Sequence, residues 1–412
     1  MKNRKAARKK DRAFTPIAPP EPDLTPAEMI ARAVALRPEL RAQQDAVEAA
    51  GRLSDDMNRR FIAAGFYRIV QPRLFGGYEF SVPDFMRVMM EVARGCSESA
   101  WVLALTAGHA HLFAGFPLEG QIAAYGSDGE FRAPGVPPPS AEAVPVPGGY
   151  RVKGGWDYVS GCDLATHFIG GCLVKDPHPQ GSILICIGRD DYTIVDNWSM
   201  IGMQGTGSKR IEVAEVFLPA ARAMPFTDAT GALINERPGW AVVTNPMYAG
   251  RTTPFLVAES TAVVVGAAYG ALDVYAETLK ARKSRFPPFP FNAEMAEYQH
   301  NFGRCQALID TAHAAMIQVG ERYMELSRDR AAFDAAWERR LQMVEQQAIH
   351  LAYEAVDIMF RTAGTSSAKK DAMLGRFWRN IAVIRGHLAH QSDTAAINFA
   401  RAHFGLPTQG RI

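Results

Sequence analysis

Apolar positions recur at helical spacing from Thr25 onward, first as Ala33, Leu36, Leu40 and Val47, then as Phe85, Val88, Met89 and Val92. Thr25-Pro26-Ala27-Glu28 has the form of a helix start, with Thr as N-cap, Pro at the first helical position and Glu at the third. Pro38 predicts a break or a fresh first turn. The helical pattern runs to about residue 127 and is punctuated by the loop Gln71–Tyr78, whose paired glycines permit close backbone approach. Residues 131–149 hold six prolines and three glycines. Short β-rich runs follow at Tyr150–Val152, Trp156–Ser160, His167–Val174, Ser182–Gly188, Tyr192–Val195 and Ile211–Leu218, separated by Gly, Asp and Pro turns. Helical periodicity returns near residue 246, over Phe255–Lys283, Glu294–Arg330 and Ala335–Arg361, with a last helix from Leu374 to His403. The Phe286–Phe291 segment breaks the first two of these, and no internal repeat is present.

The pattern predicts a tail over 1–24, a helical domain over 25–130, a β domain over 131–240 and a second helical domain over 241–412. At 412 residues, 48% hydrophobic and 21% charged, the chain can bury a large core without staples. The five cysteines are scattered, odd in number and without C-x-x-C spacing, which predicts reduced thiols, no metal site and a cytoplasmic protein. Residues 1–12 carry seven Lys/Arg and one Asp, so the net +2 hides a mildly acidic body. With no apolar face beside those charges, the tail reads as a solvated disordered extension rather than a nucleic-acid or membrane contact. No secretory signal follows it, and no run of 18 uncharged apolar residues predicts a membrane span.

Two glycine–hydroxyl bends stand out in the β region: Gly148–Cys162, containing Trp156, Ser160 and Gly161, and Gly202–Lys209, containing Gly205, Thr206, Gly207 and Ser208. A flat isoalloxazine needs backbone amides and small hydroxyls at its edges, and such bends supply both. The bends, with the helix–strand–helix order, resemble the acyl-CoA dehydrogenase superfamily. That resemblance implies an α+β fold with N-terminal helices, a central β-barrel and a C-terminal four-helix bundle.

Within the superfamily, Ala93–Leu103 followed by His109 and Phe116-Pro117, the Ser160-Gly161 pair, and Leu374–Arg379 followed by His387 are similar to the group D flavin monooxygenases. Their type is the oxygenase component of 4-hydroxyphenylacetate 3-hydroxylase. Asn380 stands where that family usually has Asp. The resemblance implies reduced FMN or FAD (FMNH2 or FADH2) delivered by a separate reductase, O2 as co-substrate, a C4a-hydroperoxide, a small aromatic substrate and a homotetramer. Ser160 would partner flavin N5, and His387 would hydrogen-bond or protonate the peroxide, a task suited to a near-neutral imidazole. His109 would bind or deprotonate a phenol, with His111 as the rival position and Trp101 shaping the pocket. Trp156 is either packing or a border of the flavin. Arg379, like Arg376, pairs either with a flavin phosphate or with an acid on a neighbouring helix. Gly364-Thr365 resembles a turn that reaches the cofactor from a neighbouring subunit. The competing reading is an acyl-CoA dehydrogenase, but Leu388 occupies the slot of the usual Glu base and cannot accept a proton. Ala133–Pro139 replaces a Ser-rich stretch, so a substrate other than a simple hydroxyphenyl acid is expected. No G-x-G-x-x-G follows a strand to bind NAD(P)H.

Overall fold

A computed structural model describes residues 14–175, 181–227, 233–234 and 236–407. Most of the basic tail therefore lies outside the described residues. Residues 14–24 do not form the expected disordered linker: Ile17 N–H donates to the Leu74 carbonyl at 3.1 Å, and Phe14 packs on Phe75.

Six helices open the fold: α1 (Pro26–Ala42), α2 (Gln44–Ala50), α3 (Asp55–Ala63), α4 (Val82–Gly95), α5 (Ser97–Phe113) and α6 (Leu118–Tyr125). The Thr25 capping box forms as expected, each partner satisfying the other's open N–H. Pro38, however, lies inside an unbroken α1. In the Gln71–Tyr78 loop, a Cβ on Gly77 would meet the Gln71 carbonyl oxygen at 1.8 Å, so only glycine fits.

The middle of the chain is one mixed seven-stranded sheet of order β5-β6-β2-β1-β3-β4-β7. Its strands are β1 (Gly135–Val146), β2 (Gly149–Val159), β3 (His167–Val174), β4 (Ser182–Gly188), β5 (Thr193–Val195), β6 (Lys209–Pro219) and β7 (Ala223–Thr227). Among the described residues the order ends on β5 and β7, the latter bridged only by Leu233, so the sheet is open rather than the closed barrel expected. The proline-rich stretch, unassigned from the sequence, is the central strand β1, antiparallel to β2 and parallel to β3. Its pairing with β3 shifts register on both sides of Pro139, where bulges absorb the missing N–H donors.

The C-terminal part comprises α7 (Thr252–Ala281), α8 (Ala296–Ser327), α9 (Ala335–Thr362), α10 (Met373–Ile384) and α11 (Ser392–His403). The expected last helix is thus two helices, parted by a turn that carries His387. Helix α7 alone among the described helices is long and apolar enough to cross a membrane, but 89% of its apolar window is buried inside the protein, as in a core helix. It packs on α4, α5, α8 and α9, and these helices share one continuous core. All five cysteines are free and buried.

Candidate functional site

The two glycine–hydroxyl bends meet at the end of β2. Gly161 (φ 75°) and Gly207 (φ 53°) take left-handed backbone that few other residues tolerate, and this turns Ser160 and Ser208 toward each other. Their hydroxyl oxygens lie 2.8 Å apart, and Ser208 Oγ lies 2.6 Å from Thr206 Oγ1. The Gly161 N–H donates to the Thr206 carbonyl at 3.0 Å, locking one bend to the other. Helix α5 closes over them: Trp101 Nε1 donates to Ser160 Oγ at 3.0 Å. The His387 ring meets the Trp101 ring edge-on, with centroids 5.3 Å apart. Ser160, Ser208, Trp101 and His387 therefore converge, although they come from four separate stretches of chain.

His387 caps its own turn. Its Nδ1 accepts the Ala389 N–H at 3.2 Å, so in the neutral ring the proton sits on Nε2. The residue keeps solvent-accessible surface, yet enough protein surrounds it that desolvation pushes its pKa down to about 4. The near-neutral pKa expected for this histidine is thus replaced by a ring that is uncharged at neutral pH.

Beside it, His390 is buried and neither ring nitrogen has a partner. It lines a cavity of about 310 Å³ with Gln346, His350, Arg385 and Ser392. Tyr158, which the sequence did not single out, is 66% exposed, sits at φ 63° and meets Trp198 edge-on.

Two further residues hold the second bend: Glu98, missed from sequence, and Asn380, noted there only as a departure from Asp. Glu98 accepts the Gly205 N–H at 2.8 Å, and burial raises its pKa to about 7. Asn380 accepts the Met203 N–H at 2.6 Å and donates to Ser97 Oγ at 2.9 Å. A Cβ on Gly205 would strike Val47 Cγ1 at 2.3 Å, so glycine brings this bend against α2.

Other expected site residues lie elsewhere. Trp156 is fully buried in the sheet core, its indole N–H donating to the Gly171 carbonyl at 3.0 Å, so it presents no border to a ligand. Arg379 donates to Glu48 at 2.7 Å, and Arg376 is held by Asp45 and Glu48, so both serve the α2–α10 contact rather than a phosphate. His109 has both nitrogens engaged, Nδ1 with the Ala133 carbonyl at 3.0 Å and Nε2 with Glu259 at 3.2 Å. His111 stacks on Phe255 and bonds the Met247 carbonyl at 2.8 Å, and burial lowers its pKa to about 4. Both tie α5 to its neighbours. Gly364 and Thr365 lie on the surface in a turn after α9, with no recorded contact to the Ser160 cluster.

Residues 258–392 match the model of the acyl-CoA dehydrogenase C-terminal domain. Over 388 residues the chain is 30% identical to the flavin-dependent monooxygenase oxygenase subunit HsaA of Rhodococcus jostii, covering 90% of this chain and 97% of that protein. The chain belongs to the oxygenase subunits of the flavin-dependent monooxygenases. Another member, the FADH(2)-dependent resorcinol hydroxylase oxygenase component of Rhizobium sp., is 26% identical, covering 84% of this chain and 87% of that one. The crystal structure of the HsaA monooxygenase from M. tuberculosis superposes with a TM-score of 0.86 at 26% identity, covering 94% of this chain and all of that one. This flavin monooxygenase fold therefore carries the Ser160 cluster at the end of its sheet, facing α5 and the turn after α10.

A cheap test of the locked bend is Gly161→Ala. The added Cβ would need left-handed backbone and would meet Val102 Cγ1 at 2.7 Å. Destabilisation of about 2 kcal/mol is expected in urea unfolding. An unchanged midpoint would show that the bend is not under this constraint.

Proposed function

We propose that the protein is the oxygenase component of a two-component flavin monooxygenase. It takes reduced FMN or FAD from a separate reductase and uses O2 to hydroxylate a small aromatic, phenolic substrate. One observation carries this reading: Ser160, Ser208, Trp101 and His387 form a single contact chain. The relatives' activities, flavin-dependent monooxygenation and FADH2-dependent resorcinol hydroxylation, support it. The family membership weighs against the acyl-CoA dehydrogenase alternative, as does Leu388 in the base slot.

The residues present fit a flavin. Tyr158 and Trp198 offer aromatic surface to a ring, and Ser160 offers a hydroxyl held in place by the bends at Gly161 and Gly207. The unpartnered nitrogens of His390, with Arg385 and Gln346, suit a polar, phosphate-bearing tail. When bound, the reduced flavin supplies the electrons that activate O2. Ser160 would hold the ring edge, Trp101 fixes Ser160, and the neutral His387 would offer its Nε2–H as a hydrogen-bond donor. Buried α5 keeps water from that side. A role for Gly364-Thr365 in this reading requires a second copy of the chain, as in the homotetramer expected from the resemblance. The three-domain division, with the open sheet and the C-terminal helices in the places of barrel and bundle, belongs to the same proposal, as does a cytoplasmic location.

Stopped-flow mixing tests it. Protein loaded anaerobically with reduced FMN or FAD should pass through a transient absorbing species on meeting O2, before oxidised flavin appears. Direct oxidation without a transient for either flavin, together with bleaching of bound FAD by an acyl-CoA, would overturn the proposal.

A further inference from the structure

The hydroxyls beside Ser160 admit one consistent set of proton positions. Thr206 Oγ1 lies 2.8 Å from the Met203 carbonyl, which can only accept, so Thr206 gives its single proton there. Ser208, 2.6 Å from Thr206, must then donate to it. Ser160, 2.8 Å from Ser208, must donate in turn. Trp101 Nε1, a donor only, gives its proton to Ser160. The chain therefore runs from Trp101 through Ser160, Ser208 and Thr206 to the Met203 carbonyl. Ser160 has then used its proton and one lone pair, and its second lone pair is open.

Both ends of the chain are fixed. The Met203 carbonyl also accepts the Trp198 indole N–H at 3.0 Å, and the Met203 N–H is held by Asn380. Met203 itself sits at φ 56°, so its carbonyl direction is imposed by these partners. At the other end Trp101 is buried on α5.

Nitrogen N5 of a flavin carries a hydrogen when the ring is reduced and is a bare acceptor when it is oxidised. An open lone pair on Ser160 matches the first state and mismatches the second. We infer that Thr206 is a specificity-determining residue: by anchoring the direction of the hydroxyl chain it makes Ser160 an acceptor, so the site selects reduced over oxidised flavin. The inference rests on the reduced-flavin reading above. It assigns the selection to a residue whose hydroxyl points away from the ligand.

The test is the ratio of dissociation constants for oxidised and anaerobically reduced FMN and FAD, measured on the full chain. The wild type should favour the reduced form by at least about tenfold, the order of effect of one mispaired buried polar contact. Thr206→Val removes the acceptor for Ser208, which frees Ser208 and Ser160 to turn round. The ratio should fall by about tenfold, chiefly through tighter oxidised flavin, which lowers the midpoint potential of the bound two-electron couple by about 30 mV. Thr206→Ser keeps the hydroxyl and should keep the ratio. Ser208→Ala breaks the chain one link nearer the ligand and should act like Thr206→Val, which covers the case in which the valine variant does not fold. An equal ratio in the wild type, Thr206→Val and Ser208→Ala overturns the inference. If the wild type binds both redox states equally, the inference fails while the monooxygenase reading stands; if it binds neither flavin, that reading fails first.

Discussion

Replacing His387 with alanine is expected to cut the hydroxylated product formed per flavin oxidised by on the order of a hundredfold, the usual cost of losing one preorganised donor. Flavin should still be consumed, with H2O2 released in place of product. The expectation follows from three observations: contact with Trp101, open surface in a deep setting, and an Nδ1 already used by the Ala389 N–H. Together they leave Nε2–H as a donor beside Trp101. Asparagine can accept the Ala389 N–H and still donate outward, so His387→Asn should recover part of the coupling. A structural role alone would not produce that order of activities. The pH profile adds a check. With the folded pKa lowered to about 4 by burial, His387 stays neutral through the physiological range. Coupling should therefore be flat around neutrality and should fall only as pH drops toward 4. A folded pKa below the ordinary value also means that this group's share of stability is present above the unfolded pKa. That share is lost as pH falls through the folded value. Product yield measured against peroxide yield across pH decides the matter. An alanine variant that couples like wild type would remove His387 from the mechanism.

The convergence behind this expectation was largely legible in the sequence. Gly161 and Gly207 announce left-handed bends, and hydroxyls placed beside them are where a ring edge would be held. The order of helices and strands likewise pointed to the fold. Three things were not legible, each for a physical reason. Strand β1 was hidden by prolines that normally exclude a central strand, because the bulges beside Pro139 that make them tolerable are a tertiary feature. The break before α11 depends on the His387 side chain bonding the Ala389 N–H, a local contact that competes with helical hydrogen bonding and leaves no periodic signature. The engagement of His109 by Glu259 joins residues on α5 and α7, and no spacing rule reports such a pair. A histidine on an alanine-rich helix looks alike in sequence whether its nitrogens are free or committed. Here both nitrogens of His109 are engaged and His111 bonds the Met247 carbonyl, while His387 stands against Trp101.

Glu345→Leu is expected to stabilise the protein by roughly 2 kcal/mol near neutral pH, the scale set by burying an uncompensated polar group. Glu345 lies on α9 with no exposed surface, and neither carboxyl oxygen has a hydrogen-bond partner. Burial holds its pKa well above the ordinary carboxylate value, so the folded protein keeps this group protonated where the unfolded chain ionises it. The sign follows directly. Between the unfolded pKa and the raised folded one, the native state binds more protons than the unfolded state, so wild-type stability declines as pH rises through that window. Leucine removes both the orphaned oxygens and the titration. Its advantage should therefore be modest at pH 5 and larger at pH 8, measured as the shift in urea midpoint between variant and wild type. Glutamine removes only the titration and keeps unpaired polar atoms, so Glu345→Gln should flatten the pH dependence while gaining less at its best. A leucine variant that is less stable than wild type at pH 8 would mean that the carboxyl has a partner in solution. An advantage independent of pH would mean that the group titrates alike in the folded and unfolded chains, and that burial in the α7–α9 core does not govern it.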